Sequence, residues 1–357
     1  MYKDAVVDQA LREDSILSLW RRLQPHLGRR RQVQLAMLYF AMLVSSLADV
    51  VSLGAVIPFI AVIAVPEQVL TYPFISNFLN VFGVTSGDEM ILPLALLFIC
   101  SAVLSGVFRI GVLWATTRLS AMIGVDLSLE AYRRTLNQPY SVHVRRNSSV
   151  VLSGITKKID YASSGLVQPL LNFMSSLFMI LAIGITLFLI HPVLAVATGS
   201  TIAIGYSVIA MASRRRLRRH SEIIALGETR RLQAVQEGLG GIRDVILGGS
   251  QSVYCDIFGR SDGPTRRARG SVLFISSSPR VVMEVIAVIL LAGLAFGLTR
   301  QPGELVSMLP TLGALTLGAQ RLFPAFQQAY ASWSNIMGAR VGLVDALELL
   351  EQPLPYA

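Results

Sequence analysis

Six stretches of the chain, at roughly residues 34–64, 91–117, 163–190, 193–213, 281–299 and 305–320, are apolar over lengths near those an α-helix needs to cross a hydrocarbon core. Such runs leave few structural options. In lipid every backbone N–H and C=O must be satisfied internally, so a segment of this kind closes on itself as a helix. A soluble bundle with buried helices would need polar residues to cover it, and a chain that is 53% hydrophobic and 15% charged does not supply them. The mean hydropathy of +0.58 agrees. The expected fold class is therefore an all-α membrane protein with six transmembrane helices. Residues 1–33 are charged and polar, without the compact apolar region or cleavage site of a removable signal peptide.

Basic residues give the orientation. Of the 31 lysines and arginines, 27 fall in residues 1–33, 118–160, 214–270 and 338–357, all on one side of the six-helix arrangement. The opposite connections, residues 65–90, His191–Pro192 and residues 300–304, contribute only Arg300. By the positive-inside rule the basic side, with both termini, is expected in the cytoplasm. The net charge of +9 is then a topology signal, and "RRRLRR" at 214–219 reads as a stop at the anionic inner leaflet rather than as a nucleic-acid patch.

The spans are unevenly spaced. Long segments separate the second from the third and the fourth from the fifth, and neither is rich in Pro, Gly or Ser as a linker would be. "RLSAMIGVDLSLEAYRRTLN" and "SEIIALGETRRLQAVQEGLGGIRDVI" instead carry apolar residues at helical spacing, which predicts transmembrane helices continuing into the cytoplasm as two antiparallel pairs. The turns of those pairs are expected at "LNQPYSVHVRRN" (136–147), where Pro139 breaks the helix, and at the glycine cluster of "EGLGGIRDVILGG" (237–249).

Other chemistries find little support. Cys100 and Cys255 lie on incompatible sides for a structural bridge, and His26, His143, His191 and His220 are scattered rather than clustered as metal ligands. A membrane-embedded transferase would need grouped acids or a base at an accessible face, whereas the outer loop offers only Glu67, Asp88 and Glu89. A noncatalytic scaffold is excluded by no motif, but a simple anchor has no need of long cytoplasmic helical pairs.

This layout resembles the transmembrane half of an ABC exporter of the six-helix, domain-swapped type, over nearly the entire chain. The amphipathic "SILSLWRRLQPHLGRRR" (15–31) is similar to that family's interfacial elbow helix, with Trp20 and the basic residues at its edge. The resemblance implies a cytoplasmic N-terminal segment over 1–33, a six-helix domain over 34–337 and a linker beginning at 338–357. It makes the two turns coupling helices, Tyr140–Arg146 and about Gly238–Val245, so that Tyr140, Arg145, Arg146, Gly241 and Arg243 would meet a nucleotide-binding domain. "SLGAVIPFI", "GVFRIGVLW", "LNQPYSVHVRRNSS", "SSSPRVVMEV" and "QRLFPAF", in this order, resemble strings of the bacterial flippases for lipid-linked oligosaccharides. An exporter of the same fold for drugs, peptides or other lipids is the alternative. The sequence carries no G-x-x-x-x-G-K-[ST] phosphate loop and no "SGGQ" signature, so this chain alone is not expected to hydrolyse ATP. ATP and Mg²⁺ are expected on a nucleotide-binding domain, fused or in trans, and the exporter is expected to work as a homodimer in the inner membrane.

Charged residues within the spans are the candidate substrate site. At about 1.5 Å per residue, Arg280 lies about 30 Å inward from Arg300, and Arg109 and Arg321 each about 27 Å inward from the starts of their helices. Three arginines on three helices thus share one depth. Snorkelling to the inner headgroups accounts for that depth as well as a functional role does. The flippase resemblance implies the second, because "GVFR", "SPR" and "QRLFP" match the strings bearing cavity-facing basic residues there, and guanidiniums could hold a pyrophosphate bidentately. Glu284, one turn after Arg280, is expected to pair with it, and Asp49 to need a partner, with one of the arginines the first choice. Pro58 and Pro169 are expected to bend their helices.

Overall fold

The computed structural model describes residues 16–56, 58, 59, 62, 91–145, 154, 159–190, 192–299 and 305–353. These are helical apart from short turns, and no strand occurs among them. In chain order the elements are α1 (Ile16–Leu23), α2 (Arg29–Gly54), α3 (Ile91–Leu136), α4 (Tyr140–Arg145), α5 (Ile159–Ala162), α6 (Gln168–Ile190), α7 (Pro192–Gly240), α8 (Ile242–Leu247), α9 (Gln251–Thr299) and α10 (Leu305–Leu350). Among the described residues α2, α3 and the stretch Ile159–Leu189 are long and apolar enough to cross a membrane. The apolar runs read at 193–213, 281–299 and 305–320 lie within α7, α9 and α10.

Length separates these helices from simple spans. With 49 residues each, α7 and α9 are about 74 Å long, more than twice the hydrocarbon thickness, and the 46 residues of α3 and α10 reach about 69 Å. The basic, less apolar halves therefore extend past any bilayer. There α3 lies against α5, α6 and the turn between them, α7 pairs with α9, and α10 packs against both groups.

Burial follows the same division. Leu19, Leu23, Ile123, Leu127, Leu166, Leu343, Leu347 and Leu350 are fully or almost fully buried where α1, α3, α10 and the turn before α6 converge at the basic end. Along the spans, Leu47, Leu92, Val103, Leu181, Ile204 and Val288 stay exposed. A soluble protein would not tolerate so continuous an apolar surface; lipid or a partner helix covers it at no cost. A bidentate ion pair from Arg22 to Glu351, at 2.9 and 2.8 Å, ties α1 to the end of α10. That guanidinium holds the Glu351 carboxyl below its ordinary range.

Three local differences from the sequence reading have simple causes. The amphipathic element expected at 15–31 is two pieces, because Pro25 sits in a 3₁₀ turn (Gln24–His26) and Gly28 opens α2, five residues ahead of the apolar run. The turn after α7 starts later than the glycines suggest: Gly238 and Gly240 remain helical, and the short helix occupies Ile242–Leu247 instead of Gly238–Val245. Gly249, at φ 61°, makes the reversal into α9, in a conformation glycine adopts without strain. At Pro169 the chain has just left a π turn, Ser163–Val167, a wide turn that accommodates an imino acid immediately after it. Pro58 lies beside residues outside those described.

A further proline, Pro279, lies within α9. A proline there cannot donate to the carbonyl of Ile275. Tyr330 of α10 supplies the missing donor: its hydroxyl lies 3.1 Å from the Ile275 oxygen and 3.3 Å from Ser213 Oγ on α7, so one phenol joins three helices. Tyr330→Phe should destabilise the fold by about 1–3 kcal/mol by orphaning that carbonyl. Adding Pro279→Ala, which restores the helix's own donor, should recover most of the loss in a thermal melt of the detergent-solubilised protein. Equal melting of the Phe variant and the parent would show that the bond is not needed.

Candidate polar site within the membrane helices

Helix α2 carries a polar stripe inside an apolar span. Ser45, Asp49 and Ser52 are spaced by four and three residues, which places them on one helix face, and Ser46 adjoins them; all four are buried. Burying a carboxylate at 2% exposure is costly unless it is paired and hydrogen-bonded.

Asp49 has both kinds of partner. Arg321 of α10 donates from Nη1 to Asp49 Oδ1 at 3.0 Å and to the Asp49 carbonyl at 2.9 Å, while its Nη2 reaches Ser52 Oγ at 2.9 Å. Ser105 of α3 donates to the same carboxylate oxygen. Three helices are thereby joined through one acid, and the guanidinium fork is used on both prongs, a geometry lysine could not reproduce.

Beside this cluster lies a cavity of about 220 Å³, bounded by Asp49, Arg109, Asn172, Ser176, Gln328 and Ser45 among others. Its polar lining is unusual at a depth where lipid-facing positions are apolar, since intramembrane polar groups normally face the bundle interior or water. Among the described residues Arg109 forms no ion pair or hydrogen bond. It is exposed, and its charge is felt at Arg321. Arg109 and Arg321 are thus neighbours around one carboxylate, which balances only one of them.

Arg280 has a partner of its own. Its Nε lies 2.7 Å from Glu284 Oε1, one turn along the same helix, and both side chains are more than half exposed. Beside the pair sits Tyr206 of α7, within an apolar cluster of Ile202, Met283 and Tyr330. Arg280 neither lines the cavity beside Asp49 nor joins the Asp49–Arg321 network, so of the three arginines Arg109 and Arg321 gather around Asp49 while Arg280 stands with Glu284.

At the basic ends, the two short helices present apolar surface. Tyr140 and Val144 on α4 are 82% and 66% exposed, and α8 buries Val245 while exposing Ile242, Ile246 and Leu247. Gly241 makes the break before α8, and Arg243 is exposed on it. Arg145 closes α4, and Arg146 lies outside the described residues.

Reading single charges missed the polar groups that complete the site, namely Ser52, Ser105, Asn172, Ser176 and Gln328. For Ser52 a signal existed: "SSLADVVS" (45–52) repeats polar residues at helical spacing within an apolar helix. Nothing comparable marks Asn172 or Gln328.

No curated protein matches the chain significantly. Residues 54–305 match the family described as the ABC transporter transmembrane region, a stretch that runs from the end of α2 to the start of α10 and includes both short exposed helices. With well over half its length matched, and with only helices and short turns among the described residues, the chain belongs to the ABC transporter transmembrane-region family.

Proposed function

We propose that this protein is the membrane-spanning part of an ABC exporter that flips an anionic lipid-linked substrate, such as a lipid-linked oligosaccharide, from the inner to the outer leaflet of a bacterial inner membrane. Arg109 carries this reading: a guanidinium with no carboxylate of its own among the described residues, lining a polar cavity among membrane helices, is a site for a phosphate-type anion. Arg321 adds charge beside it, and Arg280 would join from a second copy or by a helix movement. The transporter works as a homodimer with both termini in the cytoplasm. ATP and Mg²⁺ act on a nucleotide-binding domain, fused or in trans, which docks on Tyr140 and Val144 of α4 and on the exposed face of α8 with Gly241, Arg243 and, beside α4, Arg145 and Arg146.

The test is transport by the transporter reassembled with its nucleotide-binding domain in proteoliposomes. A pyrophosphate-linked lipid should be flipped and should stimulate ATP hydrolysis, while an uncharged glycolipid with the same chains should do neither. Equal handling of the two would reject an anion-selective exporter and favour transport of drugs, peptides or other lipids. In the same system Tyr140→Ala should retain basal hydrolysis and lose most transport. Full transport by that variant would remove α4 from the coupling role.

A further inference from the structure

A second cavity, of about 500 Å³, opens between α1, α7 and α10, away from Asp49. Two guanidiniums line it, Arg214 on α7 and Arg340 on α10, together with Ser207, Trp333, Met211 and Ile16. None of the described residues lining it is acidic. Arg340 is a charged side chain only 8% exposed, whereas Arg214 is exposed. The size falls within the range of small-molecule sites, roughly 300–1,000 Å³.

The surroundings place this cavity at a membrane interface. Arg214 is the first residue of the basic run that follows the apolar part of α7. Ile16 belongs to α1, the amphipathic helix whose Leu19 and Leu23 are fully buried while Trp20 is partly buried against the core. A helix of that kind lies in the headgroup plane. Trp333 supplies an indole, the ring that favours the same level. Ala210 and Met211 also line it, at the end of the apolar part of α7.

We propose that this cavity binds one anionic phospholipid of the inner leaflet per protomer, its phosphate held by Arg214 and Arg340 with Ser207 donating, and its first methylenes packed on Met211 and Ile16. A zwitterionic lipid brings its own ammonium, and none of the described residues lining the cavity is an acid that could receive it, so the site discriminates by charge. The bound lipid bridges α1 to α7 and α10, helices that must shift against one another if the exporter changes conformation. This inference does not depend on which substrate is carried.

Native mass spectrometry of the full chain released from detergent tests it, with phosphatidylglycerol, phosphatidylcholine of the same chains and inorganic phosphate as probes. One phosphatidylglycerol per protomer should be retained at least tenfold more tightly than phosphatidylcholine. Arg214→Gln, at an exposed side chain, should weaken phosphatidylglycerol about tenfold and leave phosphatidylcholine unchanged, as expected on losing one charge-assisted contact. Arg118→Gln, at another exposed interfacial arginine, should change neither. Arg340→Lys should weaken retention part-way; should that variant not fold, the Arg214 pair of measurements still decides. Equal retention of the two lipids, an Arg214→Gln variant that holds phosphatidylglycerol normally, or an equal loss in Arg118→Gln would overturn the site. Displacement by millimolar inorganic phosphate would also overturn it, since the occupant would then be a free anion.

Discussion

Replacing Arg321 by alanine is expected to destabilise the protein by about 3–5 kcal/mol, the largest single effect of any charge in the spans. The reason lies in what remains. Asp49 is 2% exposed, and losing Arg321 leaves it, among the described residues, with the Ser105 hydroxyl as its side-chain donor. Lipid and the apolar neighbours offer it no replacement donor, and only the small polar cavity with Arg109 can compensate in part, so the carboxylate stays buried at a cost or pulls the helices apart. Adding Asp49→Leu to Arg321→Met should restore most of the stability, because a buried ion pair replaced by apolar groups of similar volume is often neutral or better. Asp49→Asn alone should cost less than Arg321→Ala, since the stranded guanidinium is 22% exposed and can reach the polar cavity. The measurement is a thermal melt of each variant in detergent, analysed as a double-mutant cycle. Additive losses for the two positions would mean that the pair does not act as a unit.

That same pair changes how the three arginines are to be compared. Counting residues along each helix put them at one depth, and that arithmetic cannot distinguish their partners. Glu284 was legible as Arg280's neighbour because an i,i+4 spacing is local and belongs to the sequence alone. Which arginine meets Asp49 is a contact between residues 272 positions apart, decided by how α10 packs beside α2, and no local pattern encodes it. The large features were legible for a related reason. Apolar runs, their helical continuations and Pro139 act through local propensity and the bilayer's demand for internal hydrogen bonds, so α3, α7, α9 and α10 follow from the chain itself. The boundaries missed near Gly28 and Gly249 are where glycine's permissiveness makes propensity a poor guide: Gly238 and Gly240 could have ended α7, and helix packing carried it through.

Arg109 is consequently the position where substrate recognition can be tested without disturbing an ion pair. If its guanidinium holds the phosphate of an anionic lipid, Arg109→Ala should lower apparent substrate affinity by about ten- to a hundredfold, the loss of a charge-assisted contact of roughly 1.5–3 kcal/mol. Because it has no carboxylate partner among the described residues, the alanine variant strands no buried acid, and its melting temperature should stay close to the parent's. Lysine should recover only part of the affinity, keeping the charge but losing the planar fork. Snorkelling predicts a different pattern: lysine would substitute fully, and alanine would leave the substrate response intact. The readout is lipid-stimulated ATP hydrolysis and flipping by the reassembled transporter, over a range of pyrophosphate-lipid concentrations, so that an affinity change is separated from a change in maximal rate. An alanine variant that folds and gives the parent's concentration dependence would remove Arg109 from the substrate site. The polar cavity beside Asp49 would then be a solvated space that lets α2, α3 and α10 keep a buried acid, and Arg109 an anchor at the inner headgroups.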